Sequence, residues 1–422
     1  MQPIRGTKDI LPNEIILWQT LYHKVLQILT KLNYHEIRTP IIESQELFVR
    51  SIGDGTDIVN KEMYSFTDRG QRNITLRPEG TASIARAFIS NKLYQNNAIN
   101  RLWYLGPMFR YERPQNGRQR QFHQLGIECL GSLSPMADTE VIKIADQVLS
   151  ELGCKDYIIE INSIGNKEER KLYLNDFVKY IDKYKSDLDI DSKKRLYTNP
   201  LRIMDSKNVK TQTILESAPI LSQYLNSESK QHFELICEYL NMLEIPYSIN
   251  NKLVRGLDYY NQTAFEIITS KLGSQNTICG GGRYDELIKQ LGGPSTPAVG
   301  WAMGIERLIL ILTKNQTKND NKDVFYIATK GLKAQKEVWH LIRLLEKNGI
   351  KYYLDLGSNS FQKQLKKADQ IKALGCLIIG DEEIENKTIT IKWLDTRYQE
   401  TIKYNQILYS LYRNINKVLE KT

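Results

Sequence analysis

Features that would place a protein in several common classes are scarce in this chain of 422 residues. Its five cysteines are scattered, odd in number and without a CxxC pair, so we predict no disulfide framework and a reducing compartment. The five histidines show no ligand spacing with cysteine or with one another, which argues against structural zinc. No apolar run reaches membrane-spanning length, and the glycine-rich runs match neither GxGxxG nor a P-loop. These absences exclude several simple assignments.

The bulk composition describes an ordinary globular protein with a basic surplus. Apolar content of 41%, charged content of 25% and this length predict two or three domains. The net charge of +9 is consistent with a polyanionic partner. The N-terminal run MQPIRGTKDILPNE has neither a signal-type apolar core nor a Ser/Arg-rich presequence. We therefore expect the protein to work where it is made, in a cytoplasm or, if plastid-encoded, in the plastid stroma.

The stretch 101–131 is predicted to form two strands joined by a long polar loop. One face of the return strand is apolar and carries Leu125, Ile127 and Cys129. The opposite face carries the polar Gln124 and Glu128 together with Phe122. On the outgoing strand, one face carries Met108, Arg110 and Glu112. Such a sheet face is either solvated or the floor of a polar ligand site. The loop 113–120 holds three arginines and no acid, which suits phosphate contact.

Two further runs precede this stretch. EIRTPIIESQELF contains Pro40, which cannot donate to a sheet ladder, so we predict a strand at an edge or interface. NITLRPEGTASIARA predicts a strand, a turn and a helix. Glu79 and Thr81 at that turn could bind an ammonium group, with Gly80 allowing close approach of a ligand. The alternative is that Thr81 caps the helix and Glu79 is solvated.

The second half of the chain contains three more runs of this kind. LVRGLDYYNQTAFEIIT predicts two strands, the first carrying Arg255, Tyr259 and Tyr260. In TICGGGRYDELIKQLGG three glycines would let the backbone press against a planar ligand. GWAMGIERL places Arg307 in the first turns of a helix, where anions bind favourably.

The pattern of helices and strands predicts five segments. They are the first part of a catalytic domain at 1–166, a helical insertion at 167–248, the second part of the catalytic domain at 249–313, a linker at 314–323, and a small α/β domain with a mostly parallel sheet at 324–422.

These runs resemble the class II aminoacyl-tRNA synthetases. FRYERPQNGRQRQFHQLGIE resembles motif 2, specifically its histidyl-tRNA synthetase version, while EIRTPIIESQELF and GIERL resemble motifs 1 and 3. LRPEGT and LVRGLDYYNQTAFE are typical of the histidine-specific enzymes, and the last domain resembles their anticodon-binding domain. The resemblance covers nearly the whole chain. It implies an α+β catalytic domain on an antiparallel sheet, with a helical insertion and a C-terminal α/β anticodon-binding domain.

The resemblance also implies an activity. Histidine would be activated by ATP, with Mg²⁺, to histidyl-adenylate and then transferred to tRNA(His) by a homodimer that has no contact with membranes. The implied roles are catalysis by Arg255 and Arg110; ATP binding by Arg110, Glu112 and Arg307; histidine binding by Glu79, Gly80, Thr81, Gln124, Glu128, Tyr259 and Tyr260; and tRNA contact by Arg113, Gln115, Arg118 and Arg120, with no metal ligand directly assigned.

Two departures and two rival interpretations remain. Trp301 stands where a smaller aromatic is expected and would alter packing under the adenine, and Cys279 precedes the glycines where a small residue is usual. One rival is another class II synthetase with the same C-terminal domain. The other is a catalytically silent paralogue that senses histidine or tRNA as a regulatory subunit.

Overall fold

The computed structural model contains two compact units, Met1–Asn315 and Gln316–Thr422. Within them it describes residues 1–53, 56–115, 117–204, 206–273, 276–315, 324–357 and 359–419.

The first unit begins with a long helix followed by short strands, and it ends with the helix that carries Arg307. In chain order its elements are α1 Pro12–Lys31, β1 His35–Glu36, β2 Ile42–Ser44, α2 Gln45–Ile52, β3 Tyr64–Thr67, β4 Asn73–Leu76, α3 Thr81–Ser90, β5 Asn100–Phe109, β6 Gln121–Leu130, α4 Pro135–Glu151, β7 Ile158–Ser163, α5 Lys167–Asp182, α6 Ile190–Thr198, α7 Val209–Glu216, α8 Ser227–Met242, β8 Tyr247–Ile249, β9 Asn261–Ile268, β10 Thr277–Arg283, α9 Leu287–Gln290, β11 Ala298–Gly304 and α10 Ile305–Asn315.

An eight-stranded sheet organises this unit, in the order β1-β5-β6-β11-β10-β9-β7-β8. The six central strands are antiparallel, and the edge strands β1 and β8 pair in parallel with β5 and β7. One face of the sheet packs against α1 and α4 in a core that includes Leu125, Ile127 and Cys129, none more than 1% exposed. The prediction of an apolar face on the return strand is confirmed, as is the antiparallel catalytic fold.

The run around Pro40 forms two short strands instead of one. β1 lies at the edge of the large sheet, and β2 lies at the edge of a small sheet in the order β2-β4-β3. Pro40 falls between them. The expectation that this proline marks a sheet edge is confirmed, because a residue without an N–H cannot continue the ladder.

Between β7 and β8 the chain is helical, and α5 to α8 (residues 167–242) are called the helical segment below. Tyr173, Phe177 and Ile181 of this segment are buried in a core that it shares with Phe88 on α3 and with Tyr259. The helical character agrees with the sequence pattern, whereas the boundaries 1–166, 167–248 and 249–313 stay a prediction.

The sequence pattern is wrong about two strands near the site. Residues 251–260 form turns and irregular backbone, so Arg255 and Tyr260 precede β9 instead of lying on a strand of their own. β5 ends at Phe109, so Arg110 and Glu112 lie beyond it. Glu112 donates its backbone N–H to the carbonyl of Arg110, which turns the chain out of the strand geometry.

The second unit is a five-stranded sheet flanked by helices. Its elements are β12 Phe325–Thr329, α11 Leu332–Lys347, β13 Tyr352–Leu354, α12 Phe361–Gln370, β14 Gly375–Ile379, α13 Asp381–Glu385, β15 Thr388–Trp393, β16 Gln399–Lys403 and α14 Ile407–Leu419. The order β13-β12-β14-β15-β16 has two parallel pairs followed by two antiparallel pairs. The prediction of a mostly parallel sheet was therefore wrong in detail. The sequence pattern did not include β16, which adds an antiparallel pair.

Two further expectations concern the predicted linker and the absence of a membrane-spanning run. The predicted linker 314–323 overlaps the end of α10, and its residues 316–323 lie outside the described ranges. Among the described helices, none is long and apolar enough to cross a membrane.

Candidate active site

A cavity of about 260 Å³ lies on the sheet face opposite the α1–α4 core. Strand alternation supplies its floor, since Gln124 and Ala302 line the cavity while their neighbours Leu125 and Met303 are buried in that core. The start of α3, the irregular segment before β9 and the hairpin after β5 supply its walls. The polar sheet face found in the sequence is therefore a cavity floor and not a solvated surface.

Four arginines line this cavity, and three of them come from separate parts of the chain: Arg110, Arg255 and Arg307. Arg110 donates from Nε to the carbonyl of Pro78 at 2.8 Å, and Arg307 donates from Nη1 to the carbonyl of Thr277 at 2.7 Å. These hydrogen bonds go to neutral main-chain oxygens, and the nearest carboxylate oxygen paired with Arg110, on Glu112, is 3.9 Å away, so both guanidinium groups can still attract an anion.

The pKa directions of the three arginines reflect the same arrangement. Burial lowers the pKa of Arg110 and of Arg307 from their ordinary values. Burial acts in the same direction on Arg255, but the acidic groups around it, of which its ion-pair partner Glu266 on β9 contributes most, together outweigh burial and raise the pKa of Arg255. Two of the three arginines would therefore gain stabilisation from a bound anion, whereas Arg255 already has a counter-charge.

The turn before α3 contradicts the capping alternative. Glu79 is 3% exposed and accepts hydrogen bonds from the backbone N–H groups of Thr81 and Ala82 at 2.7 and 2.8 Å. It is thus the carboxylate, and not Thr81, that satisfies the free N–H groups of the helix start. The Thr81 hydroxyl donates to Glu128 Oε1 at 2.7 Å. Both Glu79 and Thr81 line the cavity.

Glu128 lies deeper than the cavity wall and is 0% exposed. Its two oxygens accept hydrogen bonds from the hydroxyls of Thr81 and Tyr284. Burial raises the pKa of Glu128 to about 8, and the two hydroxyls oppose that shift only in part. The carboxyl group is therefore mostly protonated at neutral pH.

Gln124, Tyr259 and Tyr260 all line the cavity. Among the described residues, Gln124 Oε1 is buried and has no hydrogen-bond partner. Gly80 does not line the cavity, and the space where its Cβ would lie is filled by the ring of Tyr104. The structure thus supplies a packing reason for this glycine, and the predicted close approach of a ligand stays a prediction.

Some hairpin residues predicted to contact ATP or RNA line the cavity, whereas Arg113, Gln115 and Arg120 do not. Arg118 lines the cavity and forms an ion pair with Glu112, which is 9% exposed and also lies 3.9 Å from Arg110 Nη1. Arg120 stacks its guanidinium 3.8 Å from the ring of Tyr111. Arg113 is exposed, and Gln115 pairs its backbone with that of Arg118.

Trp301 does not pack under a cavity ligand, so that expectation was wrong. Its side chain is 1% exposed on the core face, where Nε1 donates to the carbonyl of Val141 on α4 at 2.8 Å. Cys279 and Gly280 do line the cavity. The guanidinium of Arg255 occupies the place that a Cβ on Gly280 would need. This glycine makes room for an arginine, which differs from the predicted role against a planar ligand.

Three residues with hydrogen bonds or ion pairs at the site were not predicted from the sequence. Glu266 pairs with Arg255, Tyr284 donates to Glu128, and Glu306 accepts the backbone N–H of His123 at 2.9 Å while lining the cavity. Glu266 and Tyr284 stood in runs already singled out, but their partners are distant in sequence. No group of three or more potential metal ligands occurs among the described side chains.

The sheet, the three cavity arginines and the second α/β unit define the class as a class II aminoacyl-tRNA synthetase with an anticodon-binding domain. The histidyl-tRNA synthetase family model matches residues 6–166 and 188–308, and the anticodon-binding domain model matches residues 322–411. The chain belongs to the histidyl-tRNA synthetase family.

Individual relatives agree over nearly the full length. The chloroplastic histidine–tRNA ligase of Gracilaria tenuistipitata var. liui is 64% identical over 98% of each chain. The histidine–tRNA ligase of a Cyanothece species is 52% identical over 97% of this chain and 95% of its own. The crystal structure of the apo histidyl-tRNA synthetase of S. aureus superposes with a TM-score of 0.81 at 37% identity, covering 97% of this chain and 99% of that one.

Proposed function

We propose that this chain is a histidine–tRNA ligase. It activates L-histidine with ATP to histidyl-adenylate and pyrophosphate, and then transfers histidine to the 3′ end of tRNA(His). The observation that carries this proposal is the meeting of Arg110, Arg255 and Arg307 in one cavity, opposite Glu79 and Gln124. A silent regulatory paralogue would have no need to keep all three arginines there.

Activation is the attack of the histidine carboxylate on the α-phosphorus of ATP, with pyrophosphate leaving. Because the substrate supplies the nucleophile, the protein has to align the reactants and stabilise phosphate charge. In our proposal Arg110 binds the α-phosphate and the carboxylate, Arg255 faces the α-phosphate from the other side, and Arg307 binds the distal phosphates. Guanidinium groups suit these tasks because they stay charged and bind two oxygens at once.

Histidine recognition is proposed to use the acid-lined end of the cavity. Gln124 Oε1, which is buried and has no hydrogen-bond partner within the described part of the chain, supports ammonium binding there, together with Glu79 and Thr81. Tyr259 lines the pocket, and Glu128 and Tyr260 face the imidazole in this proposal. Glu128 would contact the ring after Thr81 or Tyr284 gives up its hydrogen bond. An apolar amino acid of similar shape would leave these buried polar groups unpaired.

Mg²⁺ is proposed to arrive with the ATP phosphates, whose charge it helps to neutralise. Glu112 fits as its protein contact, because its partners Arg110 and Arg118 are side chains that a phosphate can attract away. The oxygens of Glu79 and Glu306 are instead occupied by backbone N–H groups.

The remaining proposals concern the RNA, the assembly and the compartment. The hairpin side chains are proposed to contact the acceptor end of tRNA, namely Arg113, Gln115, Arg118 and Arg120. The partly exposed Ile41, Ile42 and Phe66 support a homodimer through the motif 1 region. Relatives named as chloroplastic support work in the plastid stroma, with a bacterial cytoplasm as the alternative.

The test is ATP–pyrophosphate exchange with each of the twenty amino acids offered singly. Exchange with histidine alone supports the proposal, and subsequent charging of tRNA(His) completes it. Exchange with a different amino acid contradicts the pocket assignment. Absence of exchange from folded protein, together with retained histidine or tRNA binding, favours the regulatory alternative.

A further inference from the structure

The segment 254–260 contains neither helix nor strand, although five of its residues line the cavity. Among them are Arg255, Tyr259 and Tyr260, and regular sheet pairing resumes only at Asn261. Because no ladder of backbone hydrogen bonds fixes this segment, its position depends on individual contacts from neighbouring elements.

Two arginines of the helical segment hold its backbone. Arg170 on α5 donates from Nη1 to the carbonyl oxygen of Tyr260 at 2.6 Å. Arg202 donates from Nη2 to the carbonyl oxygen of Gly256. The two bonds fall on either side of Tyr259 and next to Arg255, and hydrogen bonds from a charged donor are stronger than those between neutral groups.

Two asparagines add contacts to the same segment. Asn199 donates to Asp258 Oδ1 at 2.8 Å, and Asn162 on β7 donates to the carbonyl of Leu253 at 2.9 Å. Side chains of the helical segment thus hold the segment at positions 256, 258 and 260, Asn162 holds the residue just before it, and the Asp258 N–H donates to the carbonyl of Ile52.

A second cavity of about 470 Å³ lies behind the segment and is lined by Arg170, Arg202 and Lys171. Arg255 and Tyr260 line this cavity as well as the first one. The segment is therefore a thin wall between two cavities. The rings of Tyr259 and Tyr260 pack in the core around Tyr173, so the hydrogen bonds to the backbone of the segment act in addition to that packing.

We propose that Arg170 and Arg202 are positioning residues for histidine activation. They hold the carbonyls of Tyr260 and Gly256 so that the guanidinium of Arg255 stays over the adenylate cavity. This inference rests on the proposed function. The helical segment then affects the chemical step without touching either substrate.

The experiment compares Arg170→Gln and Arg202→Gln with Lys171→Gln, which removes the same charge from an exposed residue that lines the same cavity. The kcat of ATP–pyrophosphate exchange should fall roughly 10- to 100-fold in the two arginine variants, since small displacements of reacting groups are costly. The KM for histidine should change by less than about threefold in Arg202→Gln, whose bond is next to Arg255, and should rise in Arg170→Gln, whose bond holds Tyr260 of the proposed histidine pocket. Arg170→Lys and Arg202→Lys keep a charged donor and should recover much of the loss.

A second measurement does not depend on activity. Amide hydrogen exchange of peptides spanning 254–260 in the free protein should be faster in both Gln variants and unchanged in Lys171→Gln. Unchanged kcat and unchanged exchange in the arginine variants would overturn the inference, as would an equal loss in Lys171→Gln. A wild-type protein without pyrophosphate exchange would contradict the proposed function, while the hydrogen-exchange comparison would still decide whether the arginines hold the segment.

Discussion

Replacing Glu128 by Gln tests how the buried carboxyl group behind the cavity is ionised. Burial raises its pKa from 4.5 to about 8, so the folded protein holds this proton more tightly than the unfolded chain does. The contribution of this carboxyl group to the free energy of unfolding is therefore fully present below pH 4.5 and decreases until the pH reaches about 8. Each pH unit in that interval removes about 1.4 kcal/mol, which sums to an upper bound on the order of 5 kcal/mol.

The amide side chain in Glu128→Gln does not titrate, so the free energy of unfolding of this variant does not show that decrease with pH. Its amide keeps the size of the protonated carboxyl, and the hydroxyls of Thr81 and Tyr284 can reorient to meet it. We expect the melting temperature of Glu128→Gln minus that of the wild type to increase between about pH 5 and pH 8. At roughly 2–4 °C per kcal/mol for a unit of this size, the total change is on the order of 10 °C.

The assay is thermal unfolding followed by fluorescence at several pH values in matched buffers. Glu286→Gln, which changes an exposed carboxylate in the same unit, serves as the control and should show no such trend. A melting difference for Glu128→Gln that stays constant over the whole pH interval would refute the reasoning, because it would mean that Glu128 titrates alike in folded and unfolded chains.

Three further variants test separate parts of the site. Arg255→Ala should lower the kcat of pyrophosphate exchange at least about 100-fold, since it removes a charge facing the α-phosphate, while calorimetry should still detect histidine binding. Thr81→Val should destabilise the protein by about 1–3 kcal/mol in denaturant titrations, because Glu128 loses a buried hydrogen bond, and the KM for histidine should rise. Trp301→Phe should cost about 1 kcal/mol through the lost bond to Val141 and leave the KM for ATP unchanged.

Each of these variants has an outcome that contradicts its basis. An equal loss of histidine binding and of pyrophosphate exchange in Arg255→Ala would show that the arginine is a structural or binding group. Wild-type stability in Thr81→Val would show that Glu128 does not depend on that hydroxyl. A raised KM for ATP in Trp301→Phe would return this side chain to the adenine site, and Trp393→Phe in the second unit serves as a control for loss of a tryptophan.

Local sequence patterns determined most of the architecture. Alternation on the return strand separated Leu125 and Ile127 from Gln124 and Glu128, and the structure confirms that division. Helical periodicity identified α1, α4 and the helical segment, and the turn before α10 placed Arg307 at a helix start. These features depend on neighbouring residues, so a linear chain already contains the information that specifies them.

Partners that are distant along the chain could not be obtained in this way. Thr81 meets Glu128, Arg255 meets Glu266 from the turn before β9, and Arg170 holds Tyr260 across 90 residues. The pattern also assigned a strand to 251–260, where tertiary contacts impose an irregular path. Side-chain direction across a sheet is set by register, and register is decided by which strands pair.

The sequence by itself determined the class of fold, the order of most of its elements and many of the residues that line the cavity. Only the tertiary structure decided which carboxylate caps α3, that Glu128 is buried and protonated, that Trp301 faces the core, and what holds Arg255 in place. The physical reason is that these properties come from burial and from hydrogen bonds between elements, which exist only once the chain has folded around its sheet.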